Sequence, residues 1–100
     1  FIPNPHWIPE LRPLTGLRPQ VSAKVLGSDG VKDFVHGYVQ LVNSMMDGYM
    51  REGKKYVTIA VGCTGGKHRS VAITEEIARQ LSAIGAEISA HPTHRDVGRE

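Results

Sequence analysis

The sequence predicts a small α/β domain, with a parallel or mixed sheet flanked by helices, and three stretches lead to that prediction. Residues 31–49 repeat apolar side chains at the helical period. Residues 56–62 are β-branched and apolar, and a glycine-rich loop and a helical run over 71–84 follow them. Residues 86–90 then alternate as a short strand does. Because strand, helix and strand in succession imply a parallel pair with a right-handed crossover, the α/β class is favoured.

Four prolines mark the first sixteen residues: Pro3, Pro5, Pro9 and Pro13. Proline fixes φ and disfavours helix at the preceding residue, so we expect an irregular, extended arm. The apolar side chains of the arm indicate that it packs on the domain surface: Phe1, Ile2, Trp7, Ile8, Leu11 and Leu14. A short helix is predicted from Pro19, with Val21 and Val25 on its apolar stripe and Gly27 at its end.

The longest predicted helix covers residues 31–49, and residues 51–55 are expected to end it. Ser28 and Asp29 offer an N-cap before it, and Gly53 terminates it. Its two internal glycines each cost up to ~1 kcal/mol, which burial of the long apolar face outweighs. Its adjacent methionines are interpreted as core filler. This helix therefore supplies the predicted scaffold of the domain.

Length, composition and net charge limit the kind of protein that this chain can be. One hundred residues with 40% hydrophobic content fit one domain over residues 1–100. The start at Phe1 resembles neither an initiator methionine nor a signal peptide, so we expect a piece of a longer protein. No apolar run approaches the ~20 residues of a membrane span. A single cysteine, Cys63, suits a reducing cytoplasm, and a net charge of +2 is too small to indicate nucleic-acid binding by itself.

The loop before the last helix is the candidate functional site. Glycine lets a backbone approach an anion closely, and a helix N-terminus adds open N–H groups and a positive dipole end. The loop also carries hydroxyl donors and three potential cations, so phosphate is the expected ligand. The alternative is a tight turn whose cations are merely solvated. The candidate ligand-binding residues are Cys63, Thr64, Gly65, Gly66, Lys67, His68, Arg69 and Ser70.

An enzymatic alternative comes from the same loop. Cys63, Arg69 and Ser70 satisfy the C-x5-R-[S/T] spacing of cysteine-dependent phosphatases. A helix N-terminus and nearby cations would lower the thiol pKa, so that Cys63 acts as nucleophile while Arg69 holds the phosphoryl group. Against this, Gly62 stands where those phosphatases place histidine, and no aspartate-bearing loop supplies a general acid. The loop also lacks the spacing of a Walker A nucleotide site.

Two blocks of the sequence resemble one known family. The first is Phe1-Ile2-Pro3-Asn4-Pro5-His6-Trp7 with Pro9-Glu10-Leu11-Arg12 and Thr15-Gly16, and the second is Gly62-Cys63-Thr64-Gly65-Gly66-Lys67-His68-Arg69-Ser70-Val71. Together they look like the C-terminal domain of the RapZ (YvcJ) family, bacterial nucleotide-binding proteins and RNase adapters. The resemblance implies a cytoplasmic protein whose ATP- or GTP-using P-loop domain precedes this one. It implies no cofactor and no catalysis in this domain itself.

The resemblance also implies what the domain binds. It implies a sensor of glucosamine 6-phosphate that forms homo-oligomers and presents a small RNA to an RNase. Cys63, Thr64, Gly65, His68 and Arg69 would bind the ligand, with His6 and Arg12 as further candidates. The RNA contacts would come from a basic tail with His94, Arg95 and Arg99, although Asp96 and Glu100 dilute its charge. No metal is expected, because His91 and His94 lack a completing ligand set.

Overall fold

Helices dominate the architecture. The computed structural model describes residues 2–53, 56–84 and 89–97. A single 3₁₀ turn spans Pro5–Trp7, and three α-helices follow within those ranges: α1 at Pro19–Leu26, α2 at Val31–Arg51 and α3 at Arg69–Ile84. All three α-helices are confirmed as predictions, and α3 begins at Arg69 instead of at residue 71. None of the helices in these ranges has the length and hydropathy that a membrane span requires.

The α/β prediction is wrong, because the described residues contain no strand and no parallel or mixed sheet. Residues 56–62 do show the two-residue period, with Ile59 and Val61 packed on the core and their neighbours exposed. However, no backbone hydrogen bond joins this segment to another described residue, and a strand exists only as part of a hydrogen-bonded ladder. Residues 85–88 lie outside the described ranges, and Ser89 and Ala90, the last two of the predicted second strand, are not in a strand.

The core is a layer of β-branched side chains between the helices. α3 packs against both α1 and α2, and α1 also contacts α2. Burial of each valine or isoleucine contributes about 1.5 to 3 kcal/mol, so this layer is the main source of stability. Its buried members are Val21, Val25, Val31, Val35, Val39, Val42, Ala72, Ile73, Ile77 and Leu81. Met46 packs against the layer, but Met45 is 39% exposed, so only one of the two methionines fills the core.

Glycine, not a side-chain cap, begins and ends α2. The N-cap residue is Gly30, with a left-handed φ of 79°, and it makes no side-chain cap hydrogen bond. The predicted cap by Ser28 or Asp29 is therefore wrong. At the other end Gly53 takes a φ of 77° and its N–H donates to the carbonyl of Met50 at 3.0 Å, which confirms it as the helix terminator.

The N-terminal arm packs on the core through three of the six side chains predicted for it, with Phe1 outside the described residues, and the arm is not extended. Ile2, Leu11 and Leu14 pack against the core, and Pro5 is buried. Hydrogen-bonded turns run through the arm, for example from the N–H of Leu11 to the carbonyl of Ile8 at 3.0 Å, because proline also suits the first positions of a turn. Trp7 remains 75% exposed, so its ring does not anchor the arm.

The arm ends directly on the first turn of α3. The N–H of Gly16 donates to the carbonyl of Lys67 at 2.9 Å. A Cβ built on Gly16 would lie 2.4 Å from the carbonyl oxygen of His68 and 2.5 Å from the backbone nitrogen of Ala72. Only glycine allows the two backbones to approach so closely. The arm thereby fixes the place where the glycine-rich loop becomes helix.

Candidate anion-binding site

Two consecutive glycines shape the loop before α3. Gly65 and Gly66 have φ values of 83° and 62°, in the left-handed region that other residues avoid. The chain can therefore turn sharply from the 56–62 segment into the helix, which begins at Arg69 with no acidic residue in its first turn. A helix N-terminus of this kind attracts anions through its N–H groups and dipole.

The loop forms one wall of a cleft of about 460 Å³. Cys63, Gly66 and Ser70 line it, and so does the segment from Thr93 to Asp96. A volume of this size accommodates a small metabolite. The cleft thus unites part of the predicted ligand loop with the segment that carries His94 and Arg95, two residues predicted for RNA contacts.

The remaining loop residues are placed differently. Thr64 and Gly65 are exposed, and neither they nor Lys67 line the cleft. The His68 side chain is buried, with 5% exposure for the residue, and its Nε2 lies 3.3 Å from the carbonyl oxygen of Arg12. In this structure His68 therefore connects α3 to the arm.

Arg69 combines a contact to the arm with an unsatisfied donor. Its Nη1 donates to the carbonyl of Ile2 at 3.4 Å. Its Nε is buried and has no hydrogen-bond partner among the described residues. An unsatisfied buried guanidinium nitrogen costs free energy unless a ligand or water completes it. Arg69 therefore remains a candidate for holding an anion.

The two additional candidates, His6 and Arg12, contact each other in the arm. The Nε of Arg12 donates to the carbonyl of His6 at 2.7 Å. The His6 ring is exposed and meets the Trp7 ring edge-on, with centroids 5.3 Å apart. Neither residue lines the cleft, and the carbonyl oxygen of Arg12 lies 3.3 Å from His68 Nε2 in the loop.

Cys63 lies under the N-terminus of α3 beside Ser70. The backbone N–H of Ser70 donates to the Cys63 sulfur at 3.3 Å, and the Ser70 hydroxyl also lies 3.3 Å from that sulfur. Burial raises the pKa of the thiol, but hydrogen bonds from Ser70 and Gly66 and the charge of Arg69 outweigh it, so the pKa lies below its ordinary value. The Cys63 thiolate therefore forms at a lower pH than the thiolate of an ordinary cysteine does.

Asp96 is the residue that the sequence analysis missed as part of the site. Its side chain lies against Gly66, since a Cβ built there would be 2.5 Å from the Asp96 carboxylate oxygen. Arg95 donates to the same carboxylate at 3.2 Å, while the Arg95 side chain stays 83% exposed. No local sequence pattern predicts the contact between Gly66 and Asp96, because 30 positions separate these two residues.

His94 is directed to α3. Its Nε2 lies 3.3 Å from a carboxylate oxygen of Glu75, and its side chain is only 13% exposed. Arg99, the third predicted RNA contact, lies outside the described residues. Within the described ranges no three potential ligands among His, Cys, Asp and Glu are close enough to hold a metal ion.

These features define a class of domain: a small helical unit with a glycine-rich loop at a helix N-terminus and an adjoining ligand-sized cleft. A model of the RapZ C-terminal domain matches residues 1–98. The chain belongs to the RapZ C-terminal domain family, which confirms the resemblance seen in the sequence.

The chain is also similar to longer bacterial proteins. It is 57% identical over 100 residues to a nucleotide-binding protein of Streptomyces coelicolor and covers 33% of that protein. It is 58% identical over 100 residues to a nucleotide-binding protein of Mycobacteroides abscessus, again covering 33% of it. In both comparisons all of this chain is matched. The chain thus spans about a third of the length of these curated relatives.

Proposed function

We propose that this domain binds a phosphorylated amino sugar, with glucosamine 6-phosphate as the ligand to test first. The observation that carries the proposal is the cleft of about 460 Å³ between the glycine-rich loop and the segment ending in Asp96. The lining of the cleft includes residues at a helix N-terminus, where the positive end of the helix dipole lies, and the carboxylate of Asp96. A phosphorylated amino sugar has the matching charges, an anionic phosphate and a cationic ammonium group.

The phosphate is proposed to bind at the loop side of the cleft. Ser70 lines the cleft in the first turn of α3, and the phosphate would approach the loop backbone by displacing the Asp96 carboxylate, which lies against Gly66. Arg69 does not line the cleft, but its buried Nε has no hydrogen-bond partner among the described residues, and a phosphate oxygen would satisfy it if the side chain turned toward the cleft. Asp96 is proposed to pair with the ammonium group of the sugar, which a phosphosugar without an amino group, such as glucose 6-phosphate, lacks.

Isothermal titration calorimetry tests this proposal with glucosamine 6-phosphate, glucose 6-phosphate and inorganic phosphate. Arg69→Ala should weaken glucosamine 6-phosphate binding by about tenfold or more, as expected for loss of a charge-assisted hydrogen bond. Arg79→Ala is the matched control, because Arg79 lies on the same helix and pairs with Glu76 at the exposed surface. It should leave the affinity within about twofold.

A thermal melt of each variant separates loss of binding from loss of folding, since Arg69 also contacts Ile2. The proposal fails if none of the three ligands binds to the folded wild-type chain. It also fails if Arg79→Ala weakens binding as much as Arg69→Ala does.

The proposal extends to an adapter role within a longer nucleotide-binding regulatory protein. Its support is the family match and the names of the relatives, since the nucleotide site would lie in the two thirds of those proteins that this chain does not cover. RNA would contact the exposed Arg95 together with His94 and Arg99. Filter binding of a small RNA across a salt series tests this role, because phosphate contacts make affinity fall steeply with salt. If the domain binds no RNA even at low salt, the RNA-binding role is excluded.

Phosphatase activity is the second candidate, favoured by the placement of Asp96. The structure brings this carboxyl group into the same cleft as Cys63, where it would serve as the general acid of a phosphatase reaction. In that reaction the Cys63 thiolate would attack phosphorus and the ester P–O bond would break, with Asp96 protonating the leaving oxygen. Water would then hydrolyse the cysteinyl phosphate.

Turnover of p-nitrophenyl phosphate tests the second candidate. Activity that disappears in Cys63→Ser and falls in Asp96→Asn would support it. Release of nitrophenol at the same rate by wild type and Cys63→Ser would exclude cysteine catalysis, whatever the result of the binding experiments.

A further inference from the structure

The glycine-rich loop already carries an anionic group from the same chain. A Cβ built on Gly66 would lie 2.5 Å from an Asp96 carboxylate oxygen, 3.1 Å from the Asp96 Cβ and 3.2 Å from its Cγ. The whole Asp96 side chain therefore lies against Gly66, and that side chain is only 35% exposed. Gly66 stands shortly before α3, which has no acidic residue in its own first turn. Asp96 thus places a negative charge near the end of the helix where the dipole favours one.

The segment that carries Asp96 is also attached to α3. Residues 93–96, which we call the strap, all line the cleft that Gly66 borders. His94 Nε2 lies 3.3 Å from a carboxylate oxygen of Glu75, and the His94 side chain is 13% exposed. Glu75 itself does not line the cleft. The strap is therefore held by a contact inside the cleft, at Gly66, and by a contact outside it, at Glu75.

Displacement of the strap is a cost that every phosphate ligand must meet. Phosphate and the Asp96 carboxylate carry charges of the same sign, so they cannot both lie on the loop backbone without repulsion. Movement of the strap away from the loop would also disturb the contact between His94 and Glu75. A ligand that binds only the open form has its apparent affinity reduced by the fraction of chains that are open. Phosphate binding is therefore weaker than the loop alone would allow.

We propose that the strap closes the cleft against phosphates without an amino group and opens for those that carry one. An ammonium group pairs with the displaced carboxylate and offsets the loss of its place at Gly66, whereas inorganic phosphate and glucose 6-phosphate offer no such partner. Arg95 donates to the Asp96 carboxylate at 3.2 Å from the adjacent position, so the carboxylate keeps a charged partner when it moves. This inference rests on the proposed phosphate site and adds a repulsive element that gives selectivity.

Calorimetric titration with inorganic phosphate and with glucose 6-phosphate tests the competition, because neither ligand has an amino group. Asp96→Asn should raise the affinity for both about tenfold, since the amide keeps the size of the side chain but loses the charge that opposes phosphate. Asp47→Asn is the matched control: it makes the same change at an exposed position of α2 that does not line the cleft. It should change either affinity by less than about twofold.

A second pair of variants tests the strap from outside the cleft. Glu75→Gln should raise the affinity for inorganic phosphate about threefold, because it weakens the contact that holds His94 without altering a residue that lines the cleft. Glu76→Gln removes the same charge at the next position of α3, where the carboxylate pairs with Arg79 instead. It should change the affinity by less than about 1.5-fold. A thermal melt of each variant confirms that it is folded.

The outcomes separate the strap from the phosphate site on which it rests. If no phosphate ligand binds to the wild type or to Asp96→Asn, both proposals are overturned. If inorganic phosphate binds to the wild type and binds equally or more weakly to Asp96→Asn, the competition is overturned while the phosphate site stands. An equal gain in Asp47→Asn, or equal gains in Glu75→Gln and Glu76→Gln, would assign the effect to net charge alone and would also overturn the role of the strap.

Discussion

Replacing Gly16 with alanine should unfold the junction between the arm and α3. The new methyl group would lie 2.4 Å from the His68 carbonyl oxygen and 2.5 Å from the Ala72 nitrogen, about 1 Å inside normal contact with two backbone atoms. Neither atom belongs to a flexible side chain, so the backbones must separate. The separation would also stretch the 2.9 Å hydrogen bond from Gly16 to Lys67.

We expect Gly16→Ala to lower the free energy of unfolding by about 3 kcal/mol, as overpacking against backbone does. For a chain of this size that corresponds to a fall in Tm of about 10 to 20 °C. Thermal denaturation followed by circular dichroism at low micromolar concentration measures it. Because the same junction positions the loop, ligand affinity should fall at temperatures where the variant is still folded.

Gly37→Ala is the control that isolates the steric cause. A Cβ at Gly37 meets nothing within 4 Å among the described residues, and Gly37 is an exposed residue in the interior of α2. Alanine there should stabilise the monomer by about 0.5 to 1 kcal/mol. The reasoning is refuted if Gly16→Ala melts within about 2 °C of wild type, a shift well under 1 kcal/mol.

Two further predictions concern the cleft. The Cys63 thiol should be alkylated by iodoacetamide with a pH midpoint below its ordinary pKa of 9.0, and Ser70→Ala should move that midpoint upward because it removes a hydrogen bond to the sulfur. Since the folded-state pKa is lowered, the thiolate stabilises the fold fully above pH 9.0 and loses this effect as pH falls through the lowered pKa. Asp96→Asn should reduce the preference for glucosamine 6-phosphate over glucose 6-phosphate about tenfold, as expected for loss of a charged hydrogen bond.

The controls differ for the two cases. For the thiol, the chain unfolded in urea provides the reference midpoint, and an equal midpoint in folded and unfolded chains would contradict the prediction. For Asp96, using the ratio of two phosphosugar affinities cancels any repulsion between the carboxylate and the shared phosphate. A ratio that is unchanged in Asp96→Asn would show that the carboxylate does not contact the ammonium group.

The helices were predictable because their signals are local. A period of 3.6 residues, a proline at the first position of α1 and a left-handed glycine after α2 each act within a few residues. Strands are different, since their hydrogen bonds come from another segment. The alternation at Ile59 and Val61 predicted which side chains face inward, but it could not show whether a neighbouring strand pairs with the segment.

In the candidate site, too, the local features were predictable from the sequence and the long-range contacts were not. By itself the sequence determined the sharp turn at Gly65 and Gly66, the cations around it and the family of the chain. Only the tertiary structure decided that His68 is buried against Arg12 and that Asp96 lies on Gly66 in a shared cleft. The physical reason is that glycine conformation and helix dipoles depend on neighbouring residues, whereas the fate of a charged or polar side chain depends on which distant segment packs over it.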